Sequence, residues 1–324
     1  MSEFLKNRNA RAYLLLAFIA LTLGIVGGPT IFSRRTMFSI LQQFAVLGPV
    51  ALALGMTMVI RHFDLSVAGM LGLAGCIAVL CGVENPLLGI ALAVGFGAVF
   101  GALQGAIITT LRLSSIGVTL GGLLILNGLA YVITGNRELG YPRPDVAQFV
   151  DATLVGVFSF RAIVAVAIFV VIGLVMSQTR LGRDIIASGS DPKAAAIAGV
   201  PVKSITILVM TFSGAAAALA GGLLSFSLTT ASPTALADVL VPAAAAAIIG
   251  GVSLSGGRGH PLGIAGGVLV LCLLRSGLSA LNVEPYVHSI AIGLVLVIVG
   301  LLDSNDLERR LISLRRAFAR PRPS

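Results

Sequence analysis

Residues 204–226 read SITILVMTFSGAAAALAGGLLSF, a run of 23 residues without a charged side chain. A helix needs about 20 consecutive apolar residues to cross the hydrocarbon core of a bilayer, so this run predicts a transmembrane helix. Nine further apolar runs predict the same, and the chain is expected to be an all-α polytopic membrane protein with about ten transmembrane helices. The other predicted spans are 12–32, 39–60, 65–82, 86–110, 116–134, 158–177, 237–254, 262–282 and 286–302.

The composition excludes most other classes of protein. Of the 324 residues, 57% are hydrophobic and 11% are charged, and the mean hydropathy is +1.02. A soluble domain carries about 25% charged residues, so a soluble enzyme, a disordered chain and a secreted disulfide scaffold are ruled out. Cys76, Cys81 and Cys272 lie in apolar runs, where we expect small buried hydrophobic side chains. No His or Cys spacing predicts a metal site.

The basic residues predict the orientation of the chain. With the N-terminus inside, the inside segments hold 16 Lys and Arg and the outside segments hold five; Arg275, within a span, completes the 22. Cytoplasmic segments carry the excess of Lys and Arg in membrane proteins. Both termini are therefore predicted to be cytoplasmic, as an even number of spans requires, although Arg34 and Arg35 fall outside.

The predicted organisation has a short cytoplasmic N-terminus, a transmembrane domain and a basic tail. The first span has no small-residue cleavage site after it, so we expect a retained helix rather than a signal peptide. We expect the tail to be attracted to anionic lipid headgroups. The segments are 1–11 for the N-terminus, 12–302 for the transmembrane domain, 135–157 for its periplasmic loop, 178–203 for its cytoplasmic loop and 303–324 for the tail.

The cytoplasmic loop contains a predicted short helix. Ser190 or Asp191 can cap it, Pro192 suits its first position and Gly199 can end it. The result is a helix of two turns with small side chains. Such side chains let the groove of another protein approach closely, but an ordinary loop helix lying on the membrane fits the composition equally well.

A second informative segment, residues 250–263, is half glycine and proline. It lacks the Gly-Lys-Ser/Thr ending of a phosphate-binding loop. Non-helical backbone at membrane depth is tolerated only where it is buried or lines a cavity. The segment is therefore a loop at the inner surface or a break that faces a pathway, and close helix packing through glycine is the third interpretation. Gly250, Gly251 and Ser253 are its candidate pathway residues.

Polar residues in or between the apolar runs are the other candidates for a pathway or gate. Asp64 can cap the helix that begins at Leu65, or it can shape a pathway together with Ser66. Gln104, Asn127 and Arg275 lie within spans, where polar side chains usually face the bundle interior. We find no second carboxylate at the membrane midplane, which disfavours a carrier coupled to an ion gradient.

Three motifs stand in the order and at the separations of a known family of transporters. Lys193-Ala194-Ala195 with Gly199 keeps the spacing of the EAA loop of importers, with Lys where Glu is typical. The segments 250–259 and Asp64-Leu65-Ser66 resemble those of ABC permeases for ribose, xylose, arabinose, galactosides and autoinducer-2. The resemblance runs from about residue 40 to 302. The residues that resemble the cytoplasmic coupling segment are Gly182, Arg183, Ala187, Gly189, Ser190, Lys193, Ala194, Ala195 and Gly199.

The resemblance implies a subunit of an ATP-driven importer in the bacterial inner membrane. Such a permease bundle, of the type II kind, pairs with an identical or similar permease subunit to form the pathway. ABC ATPase subunits dock beneath it on the coupling segment and hold ATP and Mg, so this chain would bind no cofactor and would not be an enzyme. A periplasmic sugar-binding protein delivers a monosaccharide or related sugar from above. Membrane lipid is the remaining partner, and no nucleic acid is expected.

The chain also departs from the family pattern. It has His62-Phe63 where Gly-Ile usually precedes Asp-Leu-Ser, Arg275 where Asn is common, and His260-Pro261 where Ser is usual. A branched-chain amino-acid ABC permease is the nearest alternative, and an ion-coupled secondary carrier is the alternative from another class. A membrane-embedded enzyme is disfavoured because the sequence offers no nucleophile–base pair, paired catalytic carboxylates or metal cluster.

Overall fold

The computed structural model of the protein describes residues 8–234 and 237–303, and these are mostly helical. Residues 1–7 of the predicted N-terminal segment and 304–324 of the predicted tail lie outside the described residues. Each of the ten predicted spans contains a helix. The helices are α1 (Arg8–Gly27), α2 (Arg34–Val59), α3 (Ser66–Cys81), α4 (Pro86–Leu111), α5 (Ser115–Thr134), α6 (Pro144–Asp151), α7 (Phe160–Gln178), α8 (Arg180–Ser190), α9 (Pro192–Ile197), α10 (Val202–Leu228), α11 (Leu240–Ile249), α12 (Pro261–Ala280) and α13 (Pro285–Asp303).

Seven of the helices in the described residues are long and apolar enough to cross a membrane. The shorter apolar helices are α3, α11 and the Pro285–Val299 part of α13. With ten residues, α11 is about 15 Å long and covers half of the hydrocarbon core. The predicted span 237–254 is therefore wrong in length, because a 3-10 turn, Ala237–Val239, precedes α11 and Gly250 follows its last residue.

Three of the seven long helices are mostly buried and, with the short helix α3, most of whose residues are buried, form the centre of the bundle. More than half of the apolar window is buried in α2, α10 and α12, against 22% in α4 and α5, whose outer faces expose leucine, isoleucine and valine. Glycine brings α4 close to α10: a Cβ added to Gly97 would collide with the carbonyl oxygen of Gly214, and one added to Gly101 would collide with that of Met210. Such contacts hold helices together where lipid supplies no hydrophobic driving force.

Contacts between connecting segments define two ends of the bundle. At the Arg61 end, Arg61 bonds to Gly189, and the Gly257 amide donates to the Val59 carbonyl at 2.8 Å. At the Asp151 end, Asp151 bonds to side chains of α2 and α10. Cys76 and Cys272 are buried as predicted, but Cys81 is exposed because it is the last residue of α3.

The Asp151 end is covered by the predicted loop 135–157, which is ordered and partly helical. Strand β1 (Leu139–Gly140) pairs with β4 (Thr230–Ala231), and β2 (Thr153–Val155) pairs with β3 (Phe158–Ser159), both antiparallel. Tyr141 stacks on Phe226 at 4.7 Å between ring centroids and donates its hydroxyl to the Gly82 carbonyl at 2.8 Å. These contacts hold residues 135–157, which we call the cap, against α10 and the end of α3.

Helix α2 runs between both ends and contains a proline in its middle. Pro49 lacks an N–H and lies 15 residues after the helix begins at Arg34. A proline inside a helix removes a backbone hydrogen bond and is a common origin of kinks. The preceding half of α2 carries Gln42 and Gln43, and the following half leads to Arg61.

Candidate functional site

Asp64 lies between α2 and α3 and is fully buried. Its Oδ1 accepts hydrogen bonds from the amide and the hydroxyl of Ser66, at 3.0 and 2.6 Å, and its Oδ2 accepts one from the Ser213 hydroxyl at 2.7 Å. The bond from the Ser66 amide satisfies a donor that the first turn of α3 leaves free, as a capping residue does. The bond from Ser213 ties the same carboxylate to α10.

Gln104 adjoins this carboxylate through Ser66. The Ser66 hydroxyl oxygen stands 2.9 Å from Oε1 of Gln104 in α4. The structure therefore brings together three of the predicted pathway residues, Asp64, Ser66 and Gln104, in a polar cluster among α3, α4 and α10. Asn127 in α5 instead packs against Gly69 further along α3, where an added Cβ would stand 3.1 Å from its Oδ1.

Gly250, Gly251 and Ser253 lie apart from that cluster, in the loop between α11 and α12. A Cβ on Gly250 would stand 2.5 Å from the carbonyl oxygen of Gly263, so this glycine lets the two helices pack closely. Gly251 has a φ of +87°, which few other residues adopt. The Ser253 amide donates to the Arg258 carbonyl at 3.0 Å and closes the loop. The segment is thus an ordered loop that begins with a close helix contact.

His260 has a local role in the same loop. Its Nδ1 accepts a hydrogen bond from the amide of Leu262 at 3.2 Å, and Pro261 occupies the first position of α12. A serine side chain in the N-cap position makes the same kind of bond. His260 therefore caps α12 where the family pattern has Ser, and this departure is accounted for.

A cavity of about 670 Å³ lies at the Asp151 end and is the main candidate for a ligand site. Arg275 lines this cavity, and the residues of the Asp64 cluster do not. Nearby, the Gln43 amide donates to the Ser276 hydroxyl at 2.8 Å. The other polar side chains that line the cavity are Gln42, Arg161, Thr234 and Asp238.

Sequence reasoning missed most of this lining. Gln42 and Gln43 are adjacent amides within a predicted span, and polar residues in a span usually face the bundle interior; that signal would have identified them. Asp238 and Thr234 carried no signal, because they lie at the edge of a span whose length was predicted wrongly. Arg161 was counted among the five basic residues of the outside segments and not as a cavity residue, and its side chain is only 9% exposed.

An ion pair between the buried Arg161 and the partly exposed Asp151 adjoins the cavity. Nε of Arg161 lies 2.7 Å from Oδ1 of Asp151. Gln42 donates to the same oxygen at 3.1 Å, and the Ser227 hydroxyl donates to Oδ2 at 2.7 Å. The Ser159 hydroxyl in turn donates to the side-chain oxygen Oε1 of Gln42 at 3.0 Å. This network connects α6, in the cap, and the start of α7 to α2 and α10.

The predicted coupling helix is present as α9. Asp191 caps it, not Ser190: Oδ1 of Asp191 accepts from the amides of Lys193 and Ala194 at 2.9 and 3.0 Å. The Ala194 and Lys193 amides hold the pKa of Asp191 below its usual range. The ionised Asp191 side chain therefore stabilises α9 fully at any pH above the ordinary carboxyl pKa. This stabilisation is lost only as the pH falls through the lowered pKa of Asp191 in the folded protein. Gly199 follows with a φ of +85°.

The nine predicted coupling residues divide into exposed and buried groups. Ala195 is buried, and Gly182 and Gly189 are buried where a Cβ would collide with backbone of the preceding segments. Ile197 is 89% exposed and was not among the predicted residues, although it projects from the same short helix. The exposed members of the predicted set are Arg183, Ser190, Lys193, Ala194 and Gly199, and Ala187 is half-buried.

Comparison with known proteins identifies relatives along nearly the whole chain. Residues 36–300 match the family described as "Branched-chain amino acid transport system / permease component". The chain is 33% identical to the ribose import permease protein RbsC of Escherichia coli (strain K12), over 93% of this chain and 94% of that one. It is 30% identical to the fructose import permease protein FrcC of Rhizobium meliloti, over 94% and 87%. It is 26% identical to the L-arabinose ABC transporter permease protein AraH of Azospirillum brasilense, over 91% and 87%. No solved structure matches the chain.

Proposed function

Because the chain belongs to the family of branched-chain amino acid transport system permease components, we propose that it is the membrane-spanning subunit of an ATP-driven importer of a sugar. The family resemblance predicted from the motifs is confirmed. The observation that carries the sugar assignment is similarity over more than nine-tenths of the chain to permeases named for ribose, fructose and arabinose. A branched-chain amino acid as substrate is less well supported.

The chemistry of the cavity suits a sugar. The amides of Gln42 and Gln43 both donate and accept hydrogen bonds, as a ligand with many hydroxyl groups requires. Arg161 is paired with Asp151, and the remaining charges, Arg275 and Asp238, are opposite in sign. The cavity therefore presents no large net charge. We propose that it is this subunit's part of the translocation pathway.

We propose that the Arg61 end faces the cytoplasm and that the ten apolar helices occupy the bacterial inner membrane. The support is the distribution of basic residues, because the segments at this end carry Arg61, Arg112, Arg180, Arg183, Lys193, Lys203 and Arg258. Both termini lie on the cytoplasmic side in this orientation. The Asp151 end, with its cap, then meets a periplasmic sugar-binding protein.

We propose that α9 and the exposed residues beside it dock on an ABC ATPase subunit, which holds ATP and Mg. The support is the exposure of Ile197 and Ala194 on a short, capped helix at the proposed cytoplasmic end. The buried Gly182, Gly189 and Ala195 shape this surface from beneath. A second permease subunit, identical or similar, completes the pathway. Asp64 is assigned a structural role, because its three hydrogen bonds all go to helix residues.

Recovery of an ATP-binding subunit tests the proposal. The tagged chain, gently solubilised from native membranes, is expected to bring an ABC ATPase with it, and the reconstituted complex is expected to take up ribose, fructose or arabinose only when ATP is present. Recovery of the chain alone, with uptake that follows an ion gradient, would show a secondary carrier instead. ATP-dependent uptake of leucine but of none of the three sugars would establish the amino-acid alternative.

The cavity assignment predicts a selective effect of Gln43→Leu. The substitution removes an amide that lines the cavity and its hydrogen bond to the Ser276 hydroxyl, so we expect sugar uptake to fall about tenfold, which corresponds to about 1.4 kcal/mol. ATP hydrolysis by the complex should change little. Leu47→Met, which also lies at the cavity and conserves volume, is the control and should retain most of the uptake. Equal uptake by both variants would move the pathway elsewhere.

A further inference from the structure

Arg61 joins the end of α2 to the end of α8. It has a φ of +64°, a left-handed conformation that is uncommon outside glycine. From there its Nε donates to the carbonyl oxygen of Gly189 at 2.6 Å, and its terminal nitrogen donates to that of Ser190. The last carbonyls of a helix lack partners within it and carry the negative end of its dipole. A guanidinium with several donors in a fixed plane is suited to binding two of them.

Glycine makes this contact as close as backbone allows. A Cβ on Gly189 would collide with the Val59 carbonyl oxygen, and one on Gly256 would collide with the Arg61 side chain. Gly257 donates its amide to that same carbonyl of Val59 at 2.8 Å, and its Cα side packs against Ser190. The loop between α11 and α12 is thereby pressed into the contact of α2 with α8. We call these residues, Val59, Arg61, Gly189, Ser190, Gly256 and Gly257, the Arg61 joint.

The joint is continuous with α9 on one side and with three helices on the other. Ser190 is followed directly by Asp191, which caps α9. Three residues after Arg61 comes Asp64, which binds α3 and α10. Between them, the Phe63 amide donates to the Ser115 hydroxyl oxygen at 3.3 Å, and the Phe63 carbonyl accepts from the Thr119 hydroxyl at 3.1 Å; both partners are in α5.

We propose that Arg61 is the positioning residue that transmits displacement of α9 to α2 and, through residues 62–66, to α3, α5 and α10. This rests on the proposed docking of α9 on an ATPase. The Arg61 guanidinium holds the end of α8 against the end of α2. Because the backbone of Gly189 lies directly against that of Val59, the Arg61 joint moves as one body. Without the Arg61 side chain, α9 still docks and the ATPase still hydrolyses ATP. The movement of α9 then no longer reaches α2 and α10, which line the cavity.

The test compares Arg61→Gln with Arg112→Gln in the complete complex, reconstituted with its ATPase and binding protein. Arg112 is a matched control, because it also follows a helix in a left-handed conformation, with a φ of 54°, and its side chain is exposed. We expect Arg61→Gln to lower sugar uptake at least tenfold while ATPase recovery and ATP hydrolysis stay within twofold of the parent. Arg61→Lys, which keeps the charge and can bind one carbonyl, should be intermediate. The Arg112 variant should match the parent.

Two results would overturn the proposal. Unchanged uptake by Arg61→Gln would show that the joint transmits nothing through this side chain. Loss of ATPase recovery together with uptake would show that Arg61 shapes the docking surface instead. A parent complex that contains no ATPase, or needs no ATP, would refute the proposed function itself, and this is seen before any variant is made.

A cross-linking experiment keeps the test independent of any loss of folding. Arg61→Cys and Ser190→Cys are combined in a chain that carries Cys81→Ser, and uptake is measured on the same sample before and after a short bifunctional maleimide. A transmitting joint predicts low uptake before cross-linking and at least a threefold recovery afterwards, because the linker replaces the lost tie. Uptake that stays low or falls would mean that these two segments separate during transport, which contradicts a joint that moves as one body.

Discussion

Replacing Ile197 by glutamate is expected to weaken strongly the association of the chain with the proposed ATPase subunit. Ile197 is 89% exposed on the capped helix α9, and a large apolar side chain that projects from a docking helix is typical of an interface hot spot. Loss of such a residue costs about 2 kcal/mol or more, and a buried, unpaired carboxylate adds to that cost. We expect at least a 30-fold weaker complex, measured by titrating the ATPase onto the variant in detergent or nanodiscs.

The comparison variant is Ala195→Glu, at a position that lies beneath the proposed docking surface and not on it. Ala195 is two residues away on the same helix but is buried, so its replacement should lower the thermal stability of the loop and of the chain. Ile197→Glu should leave the melting temperature of the isolated chain unchanged. A variant Ile197→Glu that binds the ATPase as tightly as the parent would exclude α9 as the docking element.

Replacing Asp64 by alanine is expected to reduce the amount of folded protein severely. The change leaves the Ser66 amide and the Ser213 hydroxyl without their acceptor in a fully buried place, and the Ser66 hydroxyl keeps only Oε1 of Gln104. Each unpaired buried group costs about 1–3 kcal/mol, and natural domains have only about 5–15 kcal/mol of total stability. We expect little monodisperse protein in size-exclusion chromatography of solubilised membranes, and a clearly lower melting temperature for what remains.

Asp64→Asn separates the structural role from a pathway role. The amide keeps the shape and one acceptor oxygen, so most of the folded protein should return, together with transport in proportion to it. If Asp64→Asn folds as well as the parent but does not transport, the carboxylate has a role in the pathway and the capping assignment is insufficient.

Local features of the fold were predictable from sequence because their causes are local. The apolar runs, the Pro192–Gly199 helix and the capping role of Asp64 depend on residues within a few positions of each other. The length of α11 was predicted wrongly because alanine and glycine continue the apolar pattern past the place where the backbone stops being helical. Hydropathy registers burial in lipid or protein, but it does not register the end of a hydrogen-bonded turn.

The candidate sites were less predictable because they depend on distant contacts. Arg61 and Gly189 are 128 residues apart, and nothing in either local sequence indicates the other. The contact of Gln42 with Asp151 is likewise between distant segments, and it is what brings the Asp151–Arg161 pair to the cavity. The burial of Ala195 and the exposure of Ile197 likewise follow from how α9 lies against its neighbours.

A rigid rotation of α2 about Pro49, the proline in its middle, would move the two ends of the helix by unequal amounts. From Pro49 to Arg61 is 12 residues, or about 18 Å at the rise of a helix, and from Pro49 back to Gln43 is about 9 Å. A rotation of about 10° at the proline therefore displaces the Arg61 arm by about 3 Å and the Gln43 arm by about 1.5 Å in the opposite sense. The displacement at Gln43 is thus about half of that at Arg61, so a movement at the Arg61 end shifts the side chains that face the cavity by a smaller distance.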